Sequence, residues 1–550
     1  MEETTPLLPE EGGGDGGGSG SQQRGPRCAS FFQARRPRTI YFLLSLMVFG
    51  LSFSGSLGEV PVTRLIEDNL CQRYYLAWSD GETRHNKIDE SLCKTDEIQS
   101  QLAYLNGWLP MIEAVVGLFV ALPYGAYADK KGRKPVLWLS LCGIVVSGLW
   151  IAAVLALGQR ISIYIILFSP VFALVGGGST VLVSAIYSVV ADVVCEADRV
   201  SAFLTVSLGS LLGSLFGPLT ASSLMKTSSL MKTSSLMKTS SPWTPIALSL
   251  LILLLAIGVM VFIPETLPAR KQEEDWSVSR DDSLYGIVNS YVWEFKDQVN
   301  EAFGMVRQPS LSLILFAFLC PSPVGIATNA LFIQYVSKRF DWSMAAAGYL
   351  LSLRSMVNVF VVLLVIPGLS KLLVSGVVVK GFSAGEKDQI LAQASAFALA
   401  AGFLLLAGTN MPIVISGLIV KTLGAGLPSL CRSLAAYHTS AQNTSKLQTV
   451  IGITETMGLL VAAPALAWMF SMGMKLGGVW MGLPYVVMSG YLLVIAAALL
   501  FVKLPTVSFA LLDETYHMQD VAPDTASVRS FLSHGTMPSR VPVSHKRPRN

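Results

Sequence analysis

The stretch YGAYADKKGRKP, Tyr124 to Pro135, places four cations and one acid between two long apolar segments. A turn between two membrane-spanning helices must join the helix ends without leaving backbone groups unpaired in lipid. We therefore expect Gly125 to allow a close approach of helices and Gly132 to permit the turn. Asp129 is expected to pair with Arg133. The remaining cations are expected to anchor the loop at anionic lipid headgroups: Lys130, Lys131 and Lys134.

The composition around this loop is that of a membrane protein. Of the 550 residues, 52% are hydrophobic and 14% are charged, and the mean hydropathy is +0.54. Soluble domains carry about 25% charged residues, so lipid is the expected solvent of this chain. The formal net charge of +4 is too small to indicate a nucleic-acid partner.

Apolar segments of about 20 residues, the length that crosses a bilayer, extend on both sides of the loop. Six precede a polar stretch and six follow it, which predicts an all-α membrane protein with twelve transmembrane helices in two six-helix halves. The segments lie near 39–62, 103–127, 135–157, 161–190, 200–221, 243–263, 311–336, 344–367, 388–408, 412–435, 447–470 and 483–503.

This pattern divides the chain into five parts. We expect a disordered cytosolic tail over 1–38, an N-terminal half over 39–263, a cytosolic linker over 264–310, a C-terminal half over 311–503 and a basic cytosolic tail over 504–550. Clusters of Lys and Arg precede the first segment, follow the second and eighth, and end the chain. Twelve crossings put all these clusters on one side, which the positive-inside rule assigns to the cytosol.

The first loop, predicted over 63–102, then lies on the opposite side of the membrane. It is acidic and contains Cys71 and Cys93. Two alternatives stay open for these thiols: a disulfide, if the loop faces an oxidising compartment, or two free cysteines.

The spacing of Gly125, Asp129, Gly132, Arg133 and Lys134 resembles the signature loop of the major facilitator superfamily, between that family's second and third helices. The resemblance extends over about 39–503 through the six-plus-six layout. It implies a secondary transporter whose halves rock against one another. It also implies a charged partner for the loop at the end of the fourth helix, where this chain has Asp192 in VVADVVCEADRVSAF.

Other stretches match this family in part. The segment LGSLLGSLFGPLTAS resembles the antiporter motif of the fifth helix through Gly209, Gly213, Gly217 and Pro218, although small residues at this spacing also serve ordinary helix packing. The stretches RLIEDNLCQRYY and CRSLAAYHTSAQNTSKLQTVIG are similar to a fungal group distantly related to the proton-coupled folate transporter branch. The fourth segment lacks the arginine that many proton-coupled antiporters of the family carry.

Four ionisable residues lie inside apolar segments, where each costs about 2.5–3.5 kcal/mol at a helix centre. They are Glu113, Arg354, Lys421 and Glu455. At about 1.5 Å per residue, the first three are expected at one depth and Glu455 deeper. One hypothesis is a central cavity in which the two cations hold an anionic solute and Glu113 or Glu455 takes up a proton. The alternative is that the four charges pair permanently and only stabilise the helix bundle.

The sequence therefore predicts a secondary active transporter of a small organic solute that works by alternating access. Anionic solute and proton coupling are both left open, and the alternative is a non-transporting receptor or sensor on the same fold. No nucleophile–base set, phosphate-binding loop or metal-ligand spacing indicates an enzyme, a cofactor or a metal.

The expected partners are the lipid bilayer and the solute, with protons left open, and the protein is expected to be a monomer. An acidic dileucine pattern leaves the plasma membrane and the vacuolar or lysosomal membrane as alternatives: Glu3, Leu7 and Leu8.

Overall fold

The computed structural model of the protein describes residues 37–78, 88–158, 160–194, 199–230, 242–266, 308–369, 384–439 and 444–503. Within these ranges, twelve segments are long and apolar enough to cross a membrane, and no residue is in a β-strand. The predicted all-α fold with twelve spans is therefore confirmed. The two tails, most of the linker and the dileucine pattern lie outside the described residues, so the five-part division stays a prediction.

The N-terminal half contains α1 (Pro37–Trp78), α2 (Asp96–Lys131), α3 (Arg133–Ala156), α4 (Ile163–Val193), α5 (Arg199–Leu230) and α6 (Trp243–Val259). The C-terminal half contains α7, built of the pieces Pro309–Ala317, Pro321–Thr328 and Ala330–Phe340, then α8 (Met344–Leu369), α9 (Ala384–Leu406), α10 (Met411–Tyr437), α11 (Thr444–Leu476) and α12 (Leu483–Leu500).

The two helices on either side of the first predicted loop are longer than predicted. Helix α1 continues to Trp78 and α2 begins at Asp96, so the predicted 63–102 loop is largely helical and the prediction was wrong there. Several charges of the helical part pair within the protein: the Arg64 guanidinium lies 2.7 Å from the carboxylate of Glu67, which is completely buried. The connection that remains includes a short 3₁₀ turn, Glu90–Cys93.

Several spans are broken inside the bundle. In α4 a 3₁₀ stretch, Ile163–Val175, changes to an α-helix at Gly178–Val193, with Gly177 at φ 83° and Gly178 at φ 62°. The left-handed backbone at this break favours glycine. Helix α10 is interrupted between Leu423 and Leu427. Such breaks are tolerated at membrane depth where protein or a cavity surrounds them.

Glycines bring α5 against α1. A Cβ added at Gly213 would lie 2.6 Å from the backbone nitrogen of Phe53, and one at Gly217 would lie 2.6 Å from the Cβ of Ser56. Gly209 faces the backbone oxygen of Ser45 in the same way. The predicted helix-five motif therefore serves close helix packing within the N-terminal half.

The two halves are joined chiefly through α2 with α11 and α5 with α8. We call the end of the bundle that contains Cys71 and Cys93 the disulfide end, and the end that contains Arg133 and Asp192 the latch end. The cross-half hydrogen bonds among the described residues cluster at the disulfide end, as between Ser471 and Ser100. The disulfide end is thus the closed end of this conformation.

Candidate transport pathway and gates

The larger cavity of the protein has a volume of about 860 Å³. Helices α1 to α6 line it, and α7 and α11 contribute wall residues from the other half. Its walls are mostly apolar. Two carboxylates, Glu59 and Glu113, lie in this lining, and no Lys or Arg does among the residues that the structure describes.

Glu113 is held by the break in α4. The Ser179 hydroxyl donates a hydrogen bond of 2.9 Å to its carboxylate. Ser179 lies in the first turn of the α-helical part of α4, directly after the glycines that permit the change of helix type. A carboxylate is stabilised near a helix N-terminus by the helix dipole. Glu113 is exposed to the cavity, so its free oxygen remains accessible to a solute or a proton.

Glu59 is a site residue that the sequence reasoning missed. It lies in α1, lines the larger cavity, and its charge attracts that of Arg354 in the opposite half. The same criterion that found Glu113 would have found it, because Glu59 is the only charged residue in the predicted span 39–62.

A smaller cavity of about 320 Å³ lies among α5 and α7 to α10. Arg354 and Lys421 both line it, as predicted, but Glu113 does not. The single central cavity predicted for these three charges is therefore wrong, and the structure divides them between two cavities. Asn329, where α7 breaks, lines both.

The side chain of Arg354 is held in place by hydrogen bonds to the break in α7. Its guanidinium donates to the backbone oxygen of Thr328 at 2.7 Å and to the side-chain oxygen of Asn329 at 2.5 Å. The Thr328 carbonyl and the Asn329 amide are available because the helical piece Pro321–Thr328 ends there. An unsatisfied polar group at this depth would cost several kcal/mol, so the arginine and the broken helix stabilise one another.

Glu455 lies in neither lining. Its carboxylate is 2.8 Å from the guanidinium of Arg432, which joins α11 to α10. The predicted proton or solute role of Glu455 is thus not supported by its position, and the alternative of a structural pair describes it better. The sequence could not place these two residues together because they lie on different helices.

The latch loop, Gly125 to Lys134, contacts two other elements of the N-terminal half. The Arg133 guanidinium lies 3.3 Å from the carboxylate of Asp192, the partner expected at the end of α4. Glu265, after α6, accepts hydrogen bonds from the backbone nitrogens of Arg133 at 2.9 Å and Lys134 at 3.0 Å. The sequence reasoning did not assign Glu265 to the latch, although Pro264 and Glu265 resemble the ending common after the sixth helix of this family. The side chains of Asp129, Lys130 and Lys131 lie outside the described part of the chain.

The two latch glycines differ. Gly132 has φ 113°, and a Cβ added there would lie 2.5 Å from a carboxylate oxygen of Glu265, so the turn requires glycine. Gly125 has no described atom within 4 Å of an added Cβ. The predicted close helix approach at Gly125 is therefore wrong for this conformation, because that side of α2 faces open space.

At the disulfide end, Cys71 and Cys93 form a disulfide with their Cα atoms 5.3 Å apart. It ties the 3₁₀ turn to α1. The Lys94 ammonium lies 2.7 Å from the carboxylate of Glu67, and the Gln99 amide donates to that carboxylate at 2.6 Å. The charges and the Gln99 amide nitrogen thus pair away from water, while the Gln99 side-chain oxygen has no partner among the described residues.

This turn also bridges to the C-terminal half. The Glu90 carboxylate accepts a hydrogen bond of 2.8 Å from the backbone nitrogen of Met344, the first residue of α8. Lys338 at the end of α7 lies 2.7 Å from the carboxylate of Asp96 at the start of α2. We call Arg64, Glu67, Glu90, Lys94, Asp96, Gln99 and Lys338 the disulfide-end network. It connects the halves where the bundle is closed.

No group of three or more His, Cys, Asp or Glu side chains within the described ranges could hold a metal ion. The described free cysteines, Cys142, Cys320 and Cys431, belong to different helices and form no ligand set.

Comparisons with known proteins agree with this architecture. The family model described as Major Facilitator Superfamily matches residues 101–465. The chain is 32% identical over 471 residues to the MFS efflux pump atnC of Emericella nidulans, covering 85% of this chain and 88% of that protein. It is 27% identical over 460 residues to the efflux pump ustT of Aspergillus flavus, covering 80% of this chain and 84% of that protein.

Solved structures show the same fold at lower identity. The D-xylose-proton symporter matches with a TM-score of 0.56 and 14% identity, over 85% of this chain and 98% of that one. The human organic anion transporter MFSD10 matches with a TM-score of 0.52 and 18% identity, over 84% and 99%. Family model, relatives and fold agree: the chain belongs to the Major Facilitator Superfamily and is a multi-pass membrane protein that functions as a secondary transporter, not as an enzyme.

Proposed function

We propose that the protein exports a neutral or positively charged organic solute, bound in the larger cavity. The observation that carries this proposal is the composition of that cavity: mostly apolar walls, two carboxylates and no described cation. An apolar cavity with a few placed polar groups is typical of small-molecule sites, and a volume of about 300–1,000 Å³ is usual for them. The cavity volume of 860 Å³ lies within this range.

The direction of transport is proposed from the relatives. Two of them are named efflux pumps. An anionic solute, the alternative that the sequence left open, would meet Glu59 and Glu113 in the larger cavity, where like charges repel.

Proton exchange supplies the driving force in this proposal. Glu113 faces the cavity with one oxygen held by Ser179, and Glu59 lies within the electrostatic reach of Arg354. When Glu59 is ionised, its attraction to Arg354 holds α1 of one half near α8 of the other. Protonation of Glu59 removes this attraction and favours separation of the halves at that level. The proton and a cationic solute then compete for the same carboxylates, as antiport requires.

The orientation of the latch end and the closure of the disulfide end together define the step of alternating access that this conformation represents. We place the latch end in the cytosol, following the distribution of Lys and Arg. The conformation described here, closed through the disulfide-end network, then faces the cytosol and is ready to load solute. Export requires this network to open. We propose that the protein works as a monomer in the plasma membrane or the vacuolar or lysosomal membrane.

The test is transport in proteoliposomes that contain the purified protein, with the cationic dye ethidium and the anionic dye carboxyfluorescein as probes. A pH gradient that is acidic on the side of accumulation should drive ethidium movement and leave carboxyfluorescein unmoved. Matched liposomes without a pH gradient serve as the control. Gradient-driven movement of carboxyfluorescein alone would contradict the proposed solute class.

A further inference from the structure

The smaller cavity contains a charged side chain, that of Lys421, which has no role in the proposed export. Lys421 is only 7% exposed and lines this cavity of about 320 Å³. Its side-chain nitrogen has no hydrogen bond and no ion pair among the residues that the structure describes. A buried ammonium without a partner costs several kcal/mol, so buried charges are ordinarily paired.

Lys421 cannot leave the cavity by a small shift of its helix. A Cβ added at Gly402 on α9 would contact the backbone of Lys421, and Gly424 contacts the backbone of Ser395 in the same way. These close contacts fix the α10 backbone against α9. The lysine side chain is therefore committed to the space between α10, α7 and α8, where the smaller cavity lies.

A second cation faces the same space. Arg354 uses one terminal nitrogen for its bonds to Thr328 and Asn329, and its other nitrogens have no hydrogen-bond partner within the described ranges. Arg354 and Lys421 line the same cavity, and like charges in one site repel. Glu59 attracts Arg354 from the larger cavity, but no described carboxylate lines the smaller one.

We propose that the smaller cavity is a binding site for a small monovalent anion, either a halide or a short carboxylate, held between Lys421 and Arg354. One such anion removes the repulsion between the two cations and supplies the missing partner of the lysine. Polar side chains at the wall complete its shell: Ser214, Ser355 and Asn358. The site has its own lining apart from the solute cavity, with Asn329 as a wall residue that the two share.

Binding is measured on the purified full-length protein in detergent, in sodium gluconate replaced stepwise by sodium chloride at constant ionic strength. A second arm replaces gluconate by sodium acetate. Thermal unfolding and equilibrium dialysis with radioactive chloride or acetate are the measurements. Saturable binding in the chloride arm identifies a halide site, and saturable binding in the acetate arm identifies a carboxylate site.

Lys421→Met removes the unpaired ammonium and is expected to weaken anion binding by roughly ten- to a hundredfold, the effect of losing one charge-assisted hydrogen bond. Lys475→Met is the matched control, because Lys475 is exposed near the end of α11 and lines neither cavity. Retained binding in Lys421→Met would overturn the proposal, as would saturable binding in neither arm.

A second variant tests the proposal independently if Lys421→Met does not fold. Ser214→Asp leaves the lysine in place and adds a carboxylate to the cavity wall, so it should abolish anion binding by occupying the site itself. Unchanged binding in Ser214→Asp would also overturn the proposal. Neither measurement contains a transported solute, so the result is independent of the proposed export.

Discussion

The Lys94 ammonium lies 2.7 Å from the carboxylate of Glu67, and both side chains are buried at the disulfide end. Arg64 and Gln99 bind the same carboxylate. Each charge therefore depends on the others, because removal of one partner of a buried pair leaves the second without compensation.

Glu67→Gln is expected to destabilise the protein by about 3–5 kcal/mol, because Lys94 and Arg64 lose their buried counter-charge. Thermal unfolding of the purified variant in detergent measures this loss as a lower unfolding temperature. Glu97→Gln is the matched control, since Glu97 is exposed in the same region. Equal unfolding temperatures for the two variants would show that the network contributes nothing to stability.

Removal of the disulfide should also destabilise the disulfide end, through chain entropy and not through loss of an ion pair. Cys71 and Cys93 are 22 residues apart, and a link closing a loop of this length stabilises by roughly 3 kcal/mol through loop entropy. The double variant Cys71→Ser with Cys93→Ser should therefore unfold at a lower temperature, and reductant should lower that of the native protein but not of the variant. Cys142→Ser, which removes an exposed free thiol, should behave as the native protein does.

Gly132→Ala is expected to abolish most transport. The substitution strains a backbone at φ 113° and pushes a methyl group against Glu265, whose carboxylate binds the amides of Arg133 and Lys134. Solute flux in proteoliposomes at equal protein amounts is the measurement. Gly125→Ala has open space for its methyl group and should keep its flux. Greater damage from Gly125→Ala would mean that the latch depends on a contact absent from this conformation.

Glu113→Gln should weaken the response of transport to a pH gradient while leaving solute exchange intact, because it removes one of the two carboxylates proposed to bind the proton. Glutamine keeps the hydrogen bond from Ser179 but cannot release a proton, so the variant behaves as a permanently protonated carrier. Gradient-driven accumulation and gradient-free exchange are measured side by side in proteoliposomes. An undiminished pH response would remove Glu113 from the coupling mechanism and leave Glu59 as its candidate.

Much of this architecture follows from the sequence alone. The twelve spans are visible because the hydropathy of about 20 consecutive residues decides whether a helix can cross lipid. The spacing from Gly125 to Lys134 identifies the latch loop, and the cost of a charge in an apolar span singles out Glu113, Arg354 and Lys421. Each of these features depends only on residues close to one another in the sequence, so it can be recognised without the tertiary structure.

Only the tertiary structure decided which of these charges meet. The depths were predicted from straight α-helices, but α2 begins earlier at Asp96, so Glu113 lies farther along its helix than assumed. Breaks in α4, α7 and α10 alter the rise and rotation of the residues beyond them. The Arg432–Glu455 pair joins α10 to α11, and the charges of Glu59 in α1 and Arg354 in α8 attract one another across the two halves. Such contacts depend on how each helix is tilted and rotated by its neighbours, which is set by packing across the whole bundle and not by any one segment.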